Sequence, residues 1–191
     1  MDTTSATLLL RIRDRKDSAA WGQFDAIYRP ILRQYARSRG LHDDQVEDVV
    51  QHCMLAVSQH IATFDDDPTR GKFKAWLRTI VNNQVNKLRR QPAGQAAGSQ
   101  ALEVVPDDAA RPDSIFEEIW QREHLRHCLE DVRAKIEDTT FRAFRAYALE
   151  EQPVEKVCAE LNMTRNQVQL IKWRVTQMLR VRMRELHGDD E

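Results

Sequence analysis

The sequence predicts an all-α protein made of two helical domains joined by a flexible linker. Apolar residues recur three and four positions apart over most of the 191 residues, which is the spacing of a buried helix face. No stretch alternates as a strand would. At residues 91–112 the periodicity stops and Ala, Gly, Gln and Pro dominate, as is typical of linkers. The predicted domains therefore span residues 1–90 and 113–188.

The first domain is predicted to begin with three helices. A short helix spans residues 8–15, Asp17 and Ser18 cap the second helix, and Gly40 ends it. Asp43 and Asp44 open the third helix, because acidic side chains favour a helix N-terminus. The apolar faces of the second and third helices are expected to form a core of Trp21, Phe24, Ile27, Tyr28, Ile31, Leu32 and Tyr35, with Val46, Val49, Val50, Cys53, Met54, Val57 and Ile61.

The helix that follows is strongly basic. Residues 70–90 carry seven Lys/Arg and no Asp/Glu, whereas residues 42–67 carry seven Asp/Glu and no Lys/Arg, in a chain of net charge -1. Its polar face repeats cations and amides, which suit phosphates and base edges. The alternative is a solvated charged face, and the lack of acids argues against it. The periodicity of Phe73 and Trp76 favours core positions over stacking platforms for bases.

The second domain is predicted to end in a helix–turn–helix. A short helix begins at Pro153, and Asn162 lies in the turn that follows it. Thr164 and Gln167 have the spacing of a capping box at the start of a long helix. The basic and amide residues on the outward face of that helix suit a major groove. The alternative is a plain helical hairpin without DNA binding.

Composition and cysteine usage exclude several classes of protein. No apolar run approaches the roughly 20 residues of a membrane span, and the N-terminus lacks the basic start of a signal peptide. Cys53, Cys128 and Cys158 lie far apart in helical patterns, which indicates buried, reduced thiols. His124, His127 and Cys128 lack the ligand spacing of a metal site. We therefore expect a cytoplasmic protein without a metal or cofactor.

Four segments of the chain carry a family resemblance. They are AAWGQFDAIYRPILRQYARSRGL, VEDVVQHCMLAV, TFDDDPTRGKFKAWLRTIVNN and VEKVCAELNMTRNQVQLIKWRVTQMLR, and they run in order from residue 19 to residue 180. In this order they resemble sigma-70-family initiation factors of the extracytoplasmic-function (ECF) group. The resemblance implies sigma domain 2 at residues 1–90 and a helix–turn–helix sigma domain 4 at residues 113–188. It implies a non-enzymatic protein that binds core RNA polymerase and directs promoter-specific transcription initiation with melting of promoter DNA.

The resemblance also implies three sets of site residues. Docking on core polymerase is expected at Glu47, Asp48 and Gln51. Recognition and melting of the minus-ten element are expected at the loop of residues 64–72 and at Lys72, Lys74, Trp76, Arg78, Asn82, Asn83, Asn86, Lys87 and Arg90. Recognition of the minus-thirty-five element is expected at Arg165, Asn166, Gln167, Gln169, Lys172 and Trp173. The linker at residues 91–112 matches the segment threaded through the polymerase channels.

The docking helix departs from the family pattern. His52 and Met54 stand where the family usually has an acid and a large aromatic residue. A phosphate on nearby Thr63 would add about -1.5 to -2 charge. This charge would restore the acidity that the departure removes, so phosphorylation would switch the factor on. The alternative is that Thr63 caps the loop. A regulatory kinase is therefore a further candidate partner, and the resemblance implies an anti-sigma factor as another.

Two other functions compete with the sigma factor hypothesis. The chain could act as an autonomous helix–turn–helix transcriptional regulator that never meets polymerase, although Glu47 and Asp48 favour a protein-docking surface. A nuclease using Asp65, Asp66 and Asp67 with a metal is the enzymatic alternative. Three consecutive carboxylates on a loop point in different directions, which argues against it.

Overall fold

The structure is a computed structural model that describes residues 5–64, 72–90 and 114–187. These residues form α-helices joined by turns and contain no strand, so the predicted all-α fold class is confirmed. The predicted linker at residues 91–112 and the loop at residues 65–71 lie outside the described residues. The helices are α1 (Ser5–Arg11), α2 (Ser18–Ser38), α3 (Asp43–His60), α4 (Lys72–Arg90), α5 (Ser114–Arg133), α6 (Asp138–Phe144), α7 (Val154–Leu161) and α8 (Arg165–His187).

The chain divides into two compact units within α5, between Glu123 and His124. This division comes later than residue 113, where the sequence placed the start of the second domain. Periodicity marks α5 as amphipathic, but it does not show which part of the chain each half of the helix packs against. The assignment of sigma domains to residues 1–90 and 113–188 stays a prediction.

The first unit has an aromatic and aliphatic core between α2, α3 and α4. Most of the predicted core of α2 and α3 is buried, whereas Trp21 and Met54 are half-buried. The first half of α5 joins this core: the ring of Phe116 lies 5.0 Å from that of Tyr35. Its neighbour Ile115 is exposed, so Phe116 is the residue of this pair that faces the core.

Helix boundaries in the first unit follow local chemistry. Helix α1 ends at Arg11 instead of residue 15, and the Arg11 side chain turns back to pair with Asp17 at 2.9 Å. Asp17 also accepts a hydrogen bond from the backbone N–H of Ala20, which confirms the predicted cap of α2. The pKa of Asp17 is lowered, first by Arg11 and then by the Ala20 N–H. Gly40 has φ +80°, consistent with the predicted end of α2.

The second unit packs α6, α7 and α8 around a small apolar core. Its buried residues are Ala143, Val154, Val157 and Val168. A π-helical turn at Arg145–Leu149 separates α6 from α7. Asn162 ends α7 in the left-handed conformation, with φ 53° and ψ 46°, and this residue turns the chain into α8. The predicted helix–turn–helix geometry is therefore present in this unit.

Side-chain burial accounts for the state of the cysteines. Cys53 and Cys128 are buried and free, as predicted, whereas Cys158 is only half-buried. Burial raises the pKa of Cys53, and it raises the pKa of Cys128 to about 11. Among the described residues, no group of His, Cys, Asp and Glu is arranged to hold a metal ion, and no helix is long and apolar enough to span a membrane.

Candidate functional sites

The solvent face of α3 presents the residues predicted to dock on polymerase. Glu47, Asp48 and Gln51 are all exposed. Glu47 accepts two hydrogen bonds from Arg33 on α2, from Nε at 2.7 Å and from Nη2 at 2.8 Å. Arg33 lowers the pKa of the Glu47 carboxyl. Glu47 is therefore a fixed negative charge tied to α2.

His52 belongs to the same solvent face of α3. Its ring nitrogen Nδ1 lies 2.7 Å from the backbone carbonyl oxygen of Asp48, one turn earlier in the helix. An imidazole hydrogen-bonded to its own helix is held close to the backbone. The side chains of Asp48 and Gln51 on this helix are exposed to solvent.

Two of the predicted minus-ten residues on α4 hold internal partners in the first unit. Lys74 Nζ lies 2.8 Å and 3.0 Å from the two carboxylate oxygens of Glu117 on α5. Asn82 Oδ1 accepts a hydrogen bond from the Tyr35 hydroxyl at 2.8 Å. These two side chains therefore link α4 to its neighbours. The sequence does not reveal either contact, because the partners are more than 40 residues away in the chain.

The rest of the predicted minus-ten set varies in exposure. Asn86 and Arg90 are exposed, whereas Arg78, Asn83 and Lys87 are half-buried. The side chain of Lys72, the first residue of α4, lies outside the described part of the structure.

The aromatic residues of α4 are part of the folded unit. Phe73 is buried, as its periodicity predicted. Trp76 is half-buried and stacks on Phe64, with ring centroids 4.6 Å apart and an interplanar angle of 27°. Trp76 therefore packs within the first unit through its contact with Phe64. Phe64 is the first residue of the predicted minus-ten loop.

Thr63 lies in a short 3₁₀ turn that follows α3 (Ile61–Thr63). Its side chain is exposed. The hydroxyl donates a hydrogen bond to the backbone carbonyl of His60 at 3.1 Å. This bond fits the alternative to phosphorylation, in which Thr63 caps the loop. Exposure leaves the hydroxyl accessible to a modifying enzyme.

The N-terminus of α8 is capped as the sequence predicted. The Gln167 side-chain oxygen accepts hydrogen bonds from the Thr164 N–H at 2.7 Å and from its hydroxyl at 3.0 Å. The backbone N–H of Gln167 donates to the Thr164 hydroxyl at 3.3 Å. Gln167, which the resemblance assigned to DNA, thus uses its amide oxygen to begin the helix.

The remaining predicted minus-thirty-five residues lie together on the outward face of α8. Arg165, Asn166, Gln169, Lys172 and Trp173 are all exposed. Arg165 lies 3.8 Å from Glu155 of α7. Lys172 Nζ sits 5.1 Å from the centroid of the Tyr147 ring, in a cation–π contact. Leu170, which is 45% exposed on this helix, was not among the residues predicted from the sequence. It could have been recognised because it lies outside the inward spacing of Val168, Ile171 and Val175.

The comparisons with known proteins find a family similar to part of the first unit. Residues 26–93 match the family model described as sigma-70 region 2. The matched segment contains most of α2 and all of α3 and α4. This part of the chain is therefore similar to region 2 of sigma-70-family RNA polymerase sigma factors.

Three curated proteins are similar in sequence to this chain over part of their length. The ECF RNA polymerase sigma factor RpoE of Cereibacter sphaeroides is 33% identical over 95 residues, which cover 48% of this chain and 51% of RpoE. NccH of Alcaligenes xylosoxydans xylosoxydans is 34% identical over 82 residues, covering 43% of this chain and 42% of NccH. CnrH of Cupriavidus metallidurans is 38% identical over 71 residues, covering 37% of this chain and 36% of CnrH. The chain thus matches about half or less of these curated relatives.

One solved structure aligns along most of the chain. It shows CnrH in complex with the cytosolic domain of CnrY, and it is 20% identical to this chain, with a TM-score of 0.39. The alignment covers 93% of this chain and 95% of the CnrH chain.

Proposed function

We propose that this chain is a dissociable sigma subunit that binds core RNA polymerase and directs promoter-specific initiation, including promoter melting. The observation that carries the proposal is the sigma-70 region 2 match over residues 26–93. In this segment the exposed acidic face of α3 and the basic helix α4 belong to one compact unit. A protein-docking surface and a nucleic-acid surface in one unit suit a subunit that brings polymerase to DNA.

Docking on polymerase is proposed at the α3 face, with Asp48 and Gln51 as the direct contacts. Glu47 is held by Arg33, so its role is to fix the local charge and the position of α3 on α2. A basic partner surface would be attracted to this face, and charge complementarity speeds and orients such encounters. His52 contributes no negative charge to this face.

Minus-ten recognition is proposed at α4 and the loop before it. Asn86 and Arg90 are exposed and available to DNA. Lys74 would exchange the carboxylate of Glu117 for a DNA phosphate, since both are anionic oxygen partners. Melting exposes unstacked bases next to the phosphate backbone; cationic side chains bind the phosphates, and amide side chains bind the base edges.

Minus-thirty-five recognition is proposed at α8. Arg165 and Gln169 lie in its first turns, where a recognition helix contacts base edges. Lys172, held over Tyr147, is assigned to a phosphate. Alanine at Lys172 should weaken all promoters alike and lower the salt dependence, whereas alanine at a base-reading Arg165 should relax specificity at one position.

The central test is run-off transcription by purified core polymerase with the full chain on a promoter library, together with co-purification. We expect run-off products from the wild-type chain and loss of co-purification for Asp48→Lys. Glu118→Lys is the matched control, because it makes the same charge change at an exposed acid on another helix. DNA binding by a chain that neither binds polymerase nor supports run-off would favour the autonomous regulator instead.

Control by phosphorylation at Thr63 is proposed as a second feature of the docking region. Phosphorylation would remove the hydroxyl donor to His60 and place a charge of about -1.5 to -2 beside the end of α3. We expect kinase treatment to raise the affinity for core polymerase in the wild-type chain but not in Thr63→Ala. Equal, full activity of the unmodified wild type, Thr63→Ala and Thr63→Glu would rule this switch out.

A further inference from the structure

Two large apolar side chains stand exposed on the outward face of α8. Leu170 is 45% exposed and Trp173 is 61% exposed, whereas Val168 and Val175 on the opposite side of the helix are buried. Residues three positions apart on a helix are neighbours on its surface, so Leu170 and Trp173 form one apolar patch. This pair is termed the α8 patch.

The surroundings of the α8 patch are polar and cationic. Asn166 and Gln169 lie one turn earlier on the helix, and Lys172 and Arg174 flank Trp173; all four are exposed. The sequence of α8 contains six Lys/Arg and one acid, with no acidic residue in its first turn. A partner for this face therefore has to combine a high negative charge with small apolar groups.

The major groove of duplex DNA has this combination of properties. Its phosphates line the groove edges, and the 5-methyl group of each thymine projects into the groove, where apolar side chains contact it. The α8 patch lies in the second and third turns of a helix whose N-terminus is fixed by the Thr164–Gln167 capping box. That part of a recognition helix lies within reach of base edges.

We propose that Leu170 and Trp173 read thymine methyl groups in the upstream promoter element. This proposal rests on the proposed function of α8 as the minus-thirty-five reader and adds a specificity that hydrogen-bonding residues alone do not provide. The single acid among the six cations of α8 disfavours a basic protein as the occupant. It does not distinguish DNA from an acidic protein, so binding of such a protein is an outcome of the test.

The test replaces thymine by uracil, one position at a time, in the upstream element selected from the promoter library. This change removes one methyl group and leaves the hydrogen-bonding edge of the base intact. Run-off and upstream footprinting are measured with core polymerase and the full chain. We expect at least one replacement to weaken binding of the wild-type chain by about fourfold, the effect of one buried methyl group.

Three variants connect that loss to the α8 patch. Leu170→Ala and Trp173→Ala are expected to bind thymine and uracil promoters with equal affinity at the position each side chain reads. Leu149→Ala is the control, since Leu149 is 48% exposed in the same unit but lies outside α8; this variant is expected to keep the wild-type preference for thymine.

The possible outcomes separate this proposal from the proposed function. Run-off on the thymine promoter with no effect of uracil at any upstream position would overturn the role of the α8 patch and leave the sigma function intact. Absence of run-off from every template would instead overturn the sigma function. If Leu170→Ala and Trp173→Ala bound all promoters normally but lost an acidic protein partner, the patch would be a protein interface and the proposal would be wrong.

Discussion

The hydroxyl of Tyr35 on α2 donates a hydrogen bond to the side-chain oxygen of Asn82 on α4, over a distance of 2.8 Å. Tyr35 is completely buried, and Asn82 is half-buried at the edge of the core. The family resemblance assigns Asn82 to DNA, yet in the folded chain this amide also joins two helices. A loss of activity on mutating Asn82 would therefore have two possible causes.

Replacing Asn82 with alanine removes the acceptor of the Tyr35 hydroxyl. We expect the variant to lose about 1–3 kcal/mol of stability, the usual consequence of deleting one partner of a buried hydrogen bond. Hydrogen exchange of the residues of α4, followed by mass spectrometry, measures this locally. Asn86→Ala is the matched control, because Asn86 lies one turn later and is exposed. Unchanged protection of α4 in Asn82→Ala would show that the hydrogen bond contributes little.

The turn after α2 requires a positive φ angle at Gly40. Gly40 has φ +80°, and a Cβ at this position would meet no atom within 4 Å, so a side chain there suffers backbone strain alone. Gly40→Ala should destabilise the first unit by about 1–2 kcal/mol. Gly22 lies within α2 with similar open space, so Gly22→Ala should stabilise by about 0.5–1 kcal/mol. Thermal melts of the full chain compare the two, and a stabilising Gly40→Ala would contradict the conformational argument.

The sequence predicted the helices and their caps because these depend on local periodicity and short-range hydrogen bonds. The cap at Asp17, the stop at Gly40 and the capping box at Thr164 each involve residues at most a few positions apart. Packing between distant helices does not follow from such local rules: no short-range pattern indicates that Phe116 on α5 contacts Tyr35 on α2.

Site residues were harder to predict than helices, because their partners come from distant parts of the chain. Arg33 and Glu47 are 14 residues apart, and Lys74 and Glu117 are 43 residues apart. No spacing rule identifies such pairs. The residues of each proposed surface could therefore be named from the sequence, but which of them hold internal partners could not.

The stability of the second unit should depend on pH through His127. Burial lowers the pKa of His127 from its usual 6.5, and this outweighs attraction to Asp131 and Glu130, while Arg182 and Arg126 act in the same direction as burial. The unfolded chain therefore binds the proton more readily than the folded chain. The contribution of His127 to the free energy of unfolding should be constant above about pH 7. It should become destabilising as the pH decreases through about 6.5.

Urea unfolding of the wild-type chain and His127→Gln at about pH 7.5 and about pH 5.5 measures this dependence. The variant lacks the titrating group, so it should lose less stability on acidification than the wild type does. His60→Gln, on α3 of the first unit, serves as the control for removing a histidine elsewhere. An equal loss in the wild type and His127→Gln would show that other groups account for the acid sensitivity.

The two glutamines at the start of α8 should separate folding from base recognition. The Gln167 side chain accepts two hydrogen bonds from Thr164, so Gln167→Ala should cost about 0.5–2 kcal/mol of stability and leave the base preference unchanged. Gln169 is exposed on the outward face, so Gln169→Ala should keep the melting temperature and relax one upstream base position by about 1–3 kcal/mol. Thermal melts and binding to promoters with single-base changes provide both measurements. A change of base preference in Gln167→Ala at an unchanged melting temperature would mean that this side chain leaves its cap to contact DNA.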